Sequence, residues 1–246
     1  KETKLPSKLD TESILINLGV AKKQKKLIFN NAGVLFFAKD PSQFFLTSKV
    51  VCAEYATNEK TNILDRKIFD NGILRNIRDS INYVTKHIDT RFEIESAKRV
   101  EIPQFPEKAY REAIVNSIMH RDYFDKSSEI MIEVFKNKLS VYNPGGLVRW
   151  LKPEEFGKIS KTRNPIIASL LSRTIYVEKM GTGIKRIREA IQDAKLSEPE
   201  FRFDEHNFFV EIRDDGKENV PVNVPVNVPV NRLAKITALI NENDKL

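Results

Sequence analysis

The chain has 246 residues, of which 41% are hydrophobic and 30% charged, and this composition excludes a wholly disordered protein. The single cysteine, Cys52, excludes a disulfide or a cysteine-rich metal site within the chain, so a reducing cytoplasm is the best fit. No apolar run approaches the roughly 20 residues of a membrane helix, and no secretory segment is visible. We therefore expect a cytoplasmic protein that has no membrane partner.

The net charge of +7 is concentrated in the first part of the chain. Residues 1–100 contain 18 lysines and arginines against 12 aspartates and glutamates, whereas residues 101–246 contain 23 against 22. The densest group of cations consists of Lys22, Lys23, Lys25 and Lys26. Contacts with a DNA phosphate backbone need cations but no base-reading geometry, so this lysine cluster is a candidate DNA contact. The alternative is a solvated loop whose charge keeps the chain soluble.

The elements predicted for the first hundred residues are short, with one exception. Asp10 offers N-cap chemistry to an apolar run at 14–18, which predicts a short helix. Residues 31–37 fit either a helix or a strand, and residues 49–55 form a β-branched and aromatic run that is typical of a strand. From residue 69 to residue 88, apolar side chains recur every three or four positions and predict an amphipathic helix.

A second unit is predicted to begin near residue 101, where Pro103 and Pro106 interrupt regular structure. Further elements are predicted as helices at 107–120, 165–173 and 183–194, and as two hairpins with strands at 129–135, 139–142, 200–203 and 207–212. Helices and antiparallel strands are therefore interleaved, and this order favours an α/β sandwich.

Near its end the sequence repeats Asn-Val-Pro-Val three times, at 219–222, 223–226 and 227–230. A proline at every fourth position removes a backbone donor and fixes φ, so the repeat predicts an extended linker rather than a helix or a central strand. Helical spacing resumes at 232–241 and predicts the start of a further domain.

Glu112 and Asn116 are the first candidates for chemistry. Their spacing of four residues on a predicted helix places both side chains on one helix face. A carboxylate in a pocket can orient a water as general base, and a side-chain amide oxygen can ligate a Mg²⁺ ion that bridges nucleotide phosphates. Such pairs are also common on ordinary helix surfaces, and the residues alone leave both interpretations open.

Two glycine-containing turns follow this helix. Gly145 and Gly146 come directly after a predicted strand, and Gly181-Thr182-Gly183 precedes a predicted helix. The second turn would present backbone N–H groups at a helix N-terminus, where phosphate binds well. A glycine pair is usually only a turn, so the order of the motifs is more informative than either glycine pair alone.

That order resembles the nucleotide-binding domain of the GHKL ATPases, which include gyrase, the histidine kinases and MutL. More closely, it is similar to the GHKL-like domain of Schlafen/AlbA-type transcriptional regulators, which are often labelled RecG-related ATP-dependent DNA helicases. The resemblance extends over about residues 14–213. The motifs that carry it are Tyr110-Arg111-Glu112-Ala113-Ile114-Val115-Asn116-Ser117, His120-Arg121-Asp122-Tyr123, Asn143-Pro144-Gly145-Gly146-Leu147, Arg163-Asn164-Pro165 and Gly181-Thr182-Gly183-Ile184.

The resemblance implies four parts of the chain and their partners. Residues 1–100 would hold the end of an AlbA-like nucleic-acid-binding domain, and residues 101–215 would form the GHKL-like α/β sandwich. Residues 216–231 would be the linker, and residues 232–246 the start of a winged-helix domain. DNA would bind mainly through the flanking domains, ATP and Mg²⁺ would be the cofactors, and a homo-oligomer is expected.

The resemblance also implies roles for individual residues. Glu112 would be the catalytic base, and Asn116 would ligate the metal. Contacts with the nucleotide are implied for His120, Asn143, Gly145, Gly146, Arg163, Gly181, Thr182 and Gly183, together with Asn116. For His120, capping of the helix end is an equal alternative. For Arg163, which could reach a γ-phosphate, the alternative is an exposed loop arginine.

Two positions depart from the family pattern. Met119 replaces the aspartate that usually follows three residues after Asn116, and Asn143 stands where the wider superfamily has the aspartate that binds the adenine amino group. An amide oxygen accepts that hydrogen bond without charge assistance, so we expect a weaker contact. These departures predict slow or absent hydrolysis.

The sequence therefore predicts a DNA-associated transcriptional regulator with an ATP-binding GHKL-like domain, and at most a weak ATPase. The first alternative is a pseudo-ATPase scaffold or dimerisation domain that binds no nucleotide. The second is a protein related to ATP-dependent DNA helicases, although none of the nine glycines begins a P-loop motif.

Overall fold

A six-stranded mixed sheet organises the computed structural model, which describes residues 10–95, 98–177 and 181–215. The predicted linker and the predicted start of a winged-helix domain lie outside the described residues. The helices are α1 (Thr11–Asn17), α2 (Asn31–Phe37), α3 (Ile73–His87), α4 (Glu107–His120), α5 (Pro165–Leu171) and α6 (Gly183–Asp193). The strands are β1 (Ala21–Lys23), β2 (Leu27–Phe29), β3 (Val50–Tyr55), β4 (Ile63–Phe69), β5 (Thr90–Glu95), β6 (Lys98–Pro103), β7 (Ile130–Val134), β8 (Lys138–Pro144), β9 (Glu200–Phe203) and β10 (Asn207–Arg213).

The strand order in the large sheet is β4-β3-β7-β8-β10-β9. Strands β3 and β7 run parallel, with Val50 opposite Ile130, and all other neighbours in this sheet are antiparallel. Strands β1 and β2 form one separate hairpin, and β5 and β6 form another. The mixed α/β class predicted from the sequence is therefore confirmed.

One face of the large sheet and the helices α2 to α6 enclose the main hydrophobic core. In β7, Ile130, Ile132 and Val134 point into this core, as the alternation of apolar residues predicts. In α3, Ile77 and Val84 are fully buried, because apolar residues three and four positions apart share one helix face. Among the described residues, no helix combines the length and the apolarity needed to cross a membrane.

Residues 31–37, which the sequence left between helix and strand, form α2. The side chain of Asn30 caps this helix by accepting a hydrogen bond from the backbone N–H of Gly33 at 2.9 Å. Strand β4 and the two small hairpins were not predicted. The sequence does not predict β4 because this strand lies at the edge of the sheet. Its apolar residues Leu64 and Ile68 are exposed there, so no buried apolar face marks the strand in the sequence.

The lysine cluster lies in the β1–β2 hairpin rather than in an irregular loop. Lys22 and Lys23 belong to β1, and Lys25 and Lys26 belong to the turn that follows. All four lysines are exposed to solvent, and Lys23 also forms an ion pair with Glu12 at 2.8 Å. The hairpin therefore presents four exposed lysines on a short, regular scaffold, and one of them is paired with α1.

The large sheet crosses the boundary that the sequence predicts near residue 101. Strands β3 and β4 precede that boundary and the other four strands follow it, yet all six share hydrogen bonds. Both parts contribute buried residues to the same core, and the described residues belong to one compact unit. The two prolines in this region interrupt the chain locally, but the parallel pairing of β3 with β7 joins the two sides into one structure.

Candidate functional site

A cleft lies between α4, the end of β8, the segment at 145–162 and the start of α6. Most of the residues that the sequence selects as site residues line this cleft: Glu112, Asn116, His120, Asn143, Gly145, Gly146, Gly181 and Gly183. Arg163 and Thr182 are not part of the lining. The structure therefore brings together residues that are up to 71 positions apart in the sequence.

Helix α4 positions the candidate base and the candidate metal ligand. Asn116 donates a hydrogen bond from Nδ2 to Oε1 of Glu112 at 3.1 Å, as their spacing of four residues predicts. The carboxylate is largely buried, since the Glu112 side chain is 13% exposed. Because the amide nitrogen of Asn116 faces the carboxylate, its oxygen is the atom available to a cation.

Arg186 of α6 is a site residue that sequence reasoning missed. Its Nη2 donates to Oε2 of Glu112 at 2.6 Å, and its side chain lines the cleft. Both carboxylate oxygens of Glu112 thus accept a hydrogen bond, one from each helix. The sequence does contain a signal for Arg186: it follows Gly183 by three residues, and this spacing places it one turn into the helix that begins at Gly183.

Gly183 is required where α6 meets α4. A Cβ atom at this position would lie 2.3 Å from Oε1 of Glu112 and 2.8 Å from Nδ2 of Asn116. Gly181 has a φ of +86°, a left-handed conformation that glycine adopts without strain. The two glycines therefore allow the start of α6 to lie directly against the Glu112–Asn116 pair.

Gly145 and Gly146 serve the packing of the turn after β8. The N–H of Gly145 donates to the carbonyl of His206 at 2.6 Å, and a Cβ atom on Gly146 would lie 1.9 Å from the carbonyl oxygen of Asp204. Backbone atoms cannot yield to such a contact as a flexible side chain could. Gly146 consequently lets the turn approach the β9–β10 turn closely at one end of the cleft, whereas a Cβ atom on Gly145 would lie 2.9 Å from the backbone nitrogen of Asp122.

Arg163 supports this turn from outside the cleft. Its Nη2 donates to the carbonyl of Gly146 at 3.0 Å, and its Nη1 forms an ion pair with Asp122 at 3.3 Å. The next residue, Asn164, donates from Nδ2 to the carbonyls of Met119 and Arg121 at 2.9 and 2.8 Å. The motif Arg163-Asn164-Pro165 therefore ties the turn after β8 to the end of α4.

Asn143 brings an unsatisfied polar atom to the cleft. Its side chain is 2% exposed, and its Nδ2 makes a long contact of 3.5 Å with the carbonyl of Gly145. Its Oδ1 is buried without a hydrogen-bond partner among the described residues. The hydroxyl of Thr162, another lining residue, is also buried without such a partner there, and no signal in the sequence indicates it. Buried polar atoms are rarely left unsatisfied, so both are positions for a contact with a bound polar molecule or an ordered water.

Part of the cleft belongs to a segment that matches a known protein family. Residues 127–212 match the model of a protein family described as "Putative ATP-dependent DNA helicase recG C-terminal". An ATPase-like domain is therefore present. The matched segment includes Asn143 and the glycines of the cleft, whereas Glu112 and Asn116 precede it on α4.

The fold of this ATPase-like domain and its surroundings recurs in a solved structure. The DIP2311 protein from Corynebacterium diphtheriae matches with a TM-score of 0.70 and 20% sequence identity, over 84% of this chain and 41% of that protein. The chain thus spans about two fifths of the length of that protein, and at this identity the likeness concerns the fold alone. No protein of curated function matches the sequence.

His120 lies at the end of α4 in the wall of the cleft. Burial, reinforced by the nearby Arg163 guanidinium, lowers the pKa of His120 to about 4. The imidazole is therefore neutral at pH 7, so it can accept or donate a hydrogen bond without adding charge to the ATPase-like domain.

The depressed pKa of His120 predicts acid sensitivity. The unfolded chain binds this proton near pH 6.5, so the contribution of His120 to stability is present above that pH and is lost as the pH falls towards 4. Between pH 7 and pH 5, the free energy of unfolding should fall by about 1 to 2 kcal/mol more in the wild type than in His120→Asn. Urea unfolding at both pH values measures the difference. His206→Asn, at an exposed histidine, is the control, and equal losses in all three proteins would contradict the prediction.

Proposed function

We propose that this chain belongs to a DNA-associated transcriptional regulator whose cleft binds ATP with Mg²⁺ and hydrolyses it slowly or not at all. The family match of the ATPase-like domain supports a nucleotide in general. The identity of the base, the metal ligand and the regulatory role are inferences from the geometry of the cleft and from the resemblance of its motifs.

The buried Oδ1 of Asn143 is the observation that carries the proposal. A buried acceptor without a partner costs about 1 to 3 kcal/mol, and a ligand that donates a hydrogen bond to it recovers that cost. The exocyclic amino group of adenine is such a donor. The Thr162 hydroxyl, which both donates and accepts, adds a second polar contact in the same cleft.

The opposite side of the cleft suits the phosphates and their metal ion. The Oδ1 of Asn116 is the protein atom that would ligate Mg²⁺, an ion that prefers oxygen ligands and keeps several of its waters. When bound, Mg²⁺ neutralises part of the phosphate charge. Gly181 and Gly183 place the backbone of the first turn of α6 beside this position.

Isothermal titration calorimetry with ATP and with ITP tests the adenine contact. ITP carries an oxygen in place of the amino group, so it leaves Oδ1 of Asn143 without a donor. We expect the wild type to bind ATP about tenfold more tightly than ITP, and Asn143→Ala to lose this preference by weakening ATP alone.

Asn137→Ala, in the exposed turn between β7 and β8, is the matched control and should behave as the wild type. If the wild type binds ATP and ITP equally, Asn143 does not read the base. If no adenine nucleotide binds at millimolar concentration, the nucleotide proposal is wrong and the scaffold alternative takes its place.

A DNA contact is proposed for the β1–β2 hairpin. Lys22, Lys25 and Lys26 are exposed on it, and phosphate contacts need only accessible cations. The hairpin also exposes Ile28 and Phe29 beside these lysines. This surface would add a salt-dependent, sequence-independent affinity to that of the flanking domains.

A further inference from the structure

We propose that Arg186 binds the phosphate groups of the nucleotide, and that the Glu112 carboxylate occupies the same anion site in their absence. This inference rests on the proposed nucleotide function of the cleft and adds a residue and a mode of regulation to it. Arg186 lies outside the motifs that suggested the nucleotide site.

Arg186 forms one side of this anion site. Its guanidinium holds Oε2 of Glu112 at 2.6 Å, and the two side chains are only 23% and 13% exposed. A guanidinium offers planar pairs of donors that match a carboxylate and a phosphate equally well. The group that now binds the carboxylate is therefore chemically suited to a phosphate.

The first turn of α6 forms the other side of the site. Because a Cβ atom on Gly183 would lie 2.3 Å from Oε1 of Glu112, the carboxylate lies directly against the helix start. The positive end of the helix dipole stabilises an anion there. Two separate features of the structure, the arginine and the helix start, thus hold the same carboxylate as an anion.

The charges of the cleft favour an exchange of anions. Its described lining contains Lys161 and Arg186 against the single carboxylate of Glu112. A nucleoside triphosphate carries more negative charge and more acceptor oxygens than a carboxylate, so it competes effectively with Glu112 for the arginine. When phosphate replaces the carboxylate, Oε2 of Glu112 loses the hydrogen bond that Arg186 donates. The ion pair therefore restrains the base until phosphate is bound.

Calorimetry with ATP, adenosine and inorganic triphosphate, each with Mg²⁺ present, tests this exchange. Arg186→Gln should weaken the binding of ATP and of triphosphate about 10- to 100-fold and leave the binding of adenosine unchanged. Arg186→Lys should lose less of the affinity for the two phosphate ligands. Glu112→Gln should strengthen the binding of both phosphate ligands about 3- to 10-fold, because it removes the competing anion. If the ion pair serves only to join α4 to α6, Glu112→Gln should instead weaken their binding.

Arg188→Gln is the matched control, since this exposed arginine of the same helix pairs with Glu198 outside the cleft. Equal loss of ATP and adenosine affinity in Arg186→Gln, or weaker phosphate binding in Glu112→Gln, overturns the inference while the nucleotide proposal stands. Triphosphate binding that depends on Arg186 without any preference for ATP supports the inference and contradicts the adenine contact. Wild-type protein that binds neither ATP nor triphosphate overturns both.

Discussion

Phosphate release from ATP is expected to stay below about 1 per second in the wild-type protein, under the range of efficient phosphoryl-transfer enzymes. Asn116 donates a hydrogen bond to Oε1 of Glu112, so one carboxylate oxygen of the proposed base stays occupied even after phosphate has displaced Arg186 from the other. Met119 lines the cleft at the position where the GHKL ATPases that the sequence resembles have an aspartate, and its side chain offers no carboxylate that could position a metal-bound water.

Glu112→Gln should lower the remaining rate by a further factor of about 10² to 10⁴, the usual effect of removing a general base. A coupled assay for released phosphate, with binding measured in parallel, separates this effect from a loss of affinity. Glu189→Gln is the control, since this exposed carboxylate of α6 pairs with Lys185 and does not line the cleft. Turnover at roughly 1 to 100 per second that disappears in Glu112→Gln would identify a working ATPase instead.

Charge reversal of Lys22, Lys25 and Lys26 to glutamate is expected to weaken binding to duplex DNA about 10²- to 10³-fold at about 50 mM salt. Lys23 is left unchanged because its ion pair with Glu12 links the hairpin to α1. Log affinity decreases linearly with the logarithm of the salt concentration. If each of the three lysines contacts one phosphate, the charge reversal should make this slope shallower by about 2.7.

A matched control reverses three exposed lysines outside the hairpin, Lys108, Lys126 and Lys152, with the same change in net charge. Fluorescence anisotropy with a labelled duplex over a salt series measures both quantities. If the two triple variants lose the same affinity, the hairpin acts only through the net charge of the chain. If neither loses affinity, its lysines serve solubility and the DNA proposal for this surface fails.

The sequence by itself determined the elements whose signals are local. The bounds of α4 coincide with the predicted range of 107–120, because its apolar residues recur at helical spacing and proline marks its start. The contact between Glu112 and Asn116 follows from the same helix, since residues four apart share one face. The β7–β8 hairpin was likewise visible, as alternation and a short turn define it within 15 residues.

Tertiary structure alone decided whatever depends on residues distant in the sequence. The parallel pairing of β3 with β7 places Val50 opposite Ile130 and joins the two predicted units, and no local pattern encodes a pairing across 80 positions. The ion pair of Arg186 with Glu112 and the burial of Asn143 have the same origin. Both arise where α6 and the turn after β8 approach α4, a geometry that follows from packing of the whole core and the close approach that glycines permit. The physical reason is that helical and hairpin periodicity reports contacts between near neighbours, whereas the chemistry of this cleft depends on contacts between remote ones.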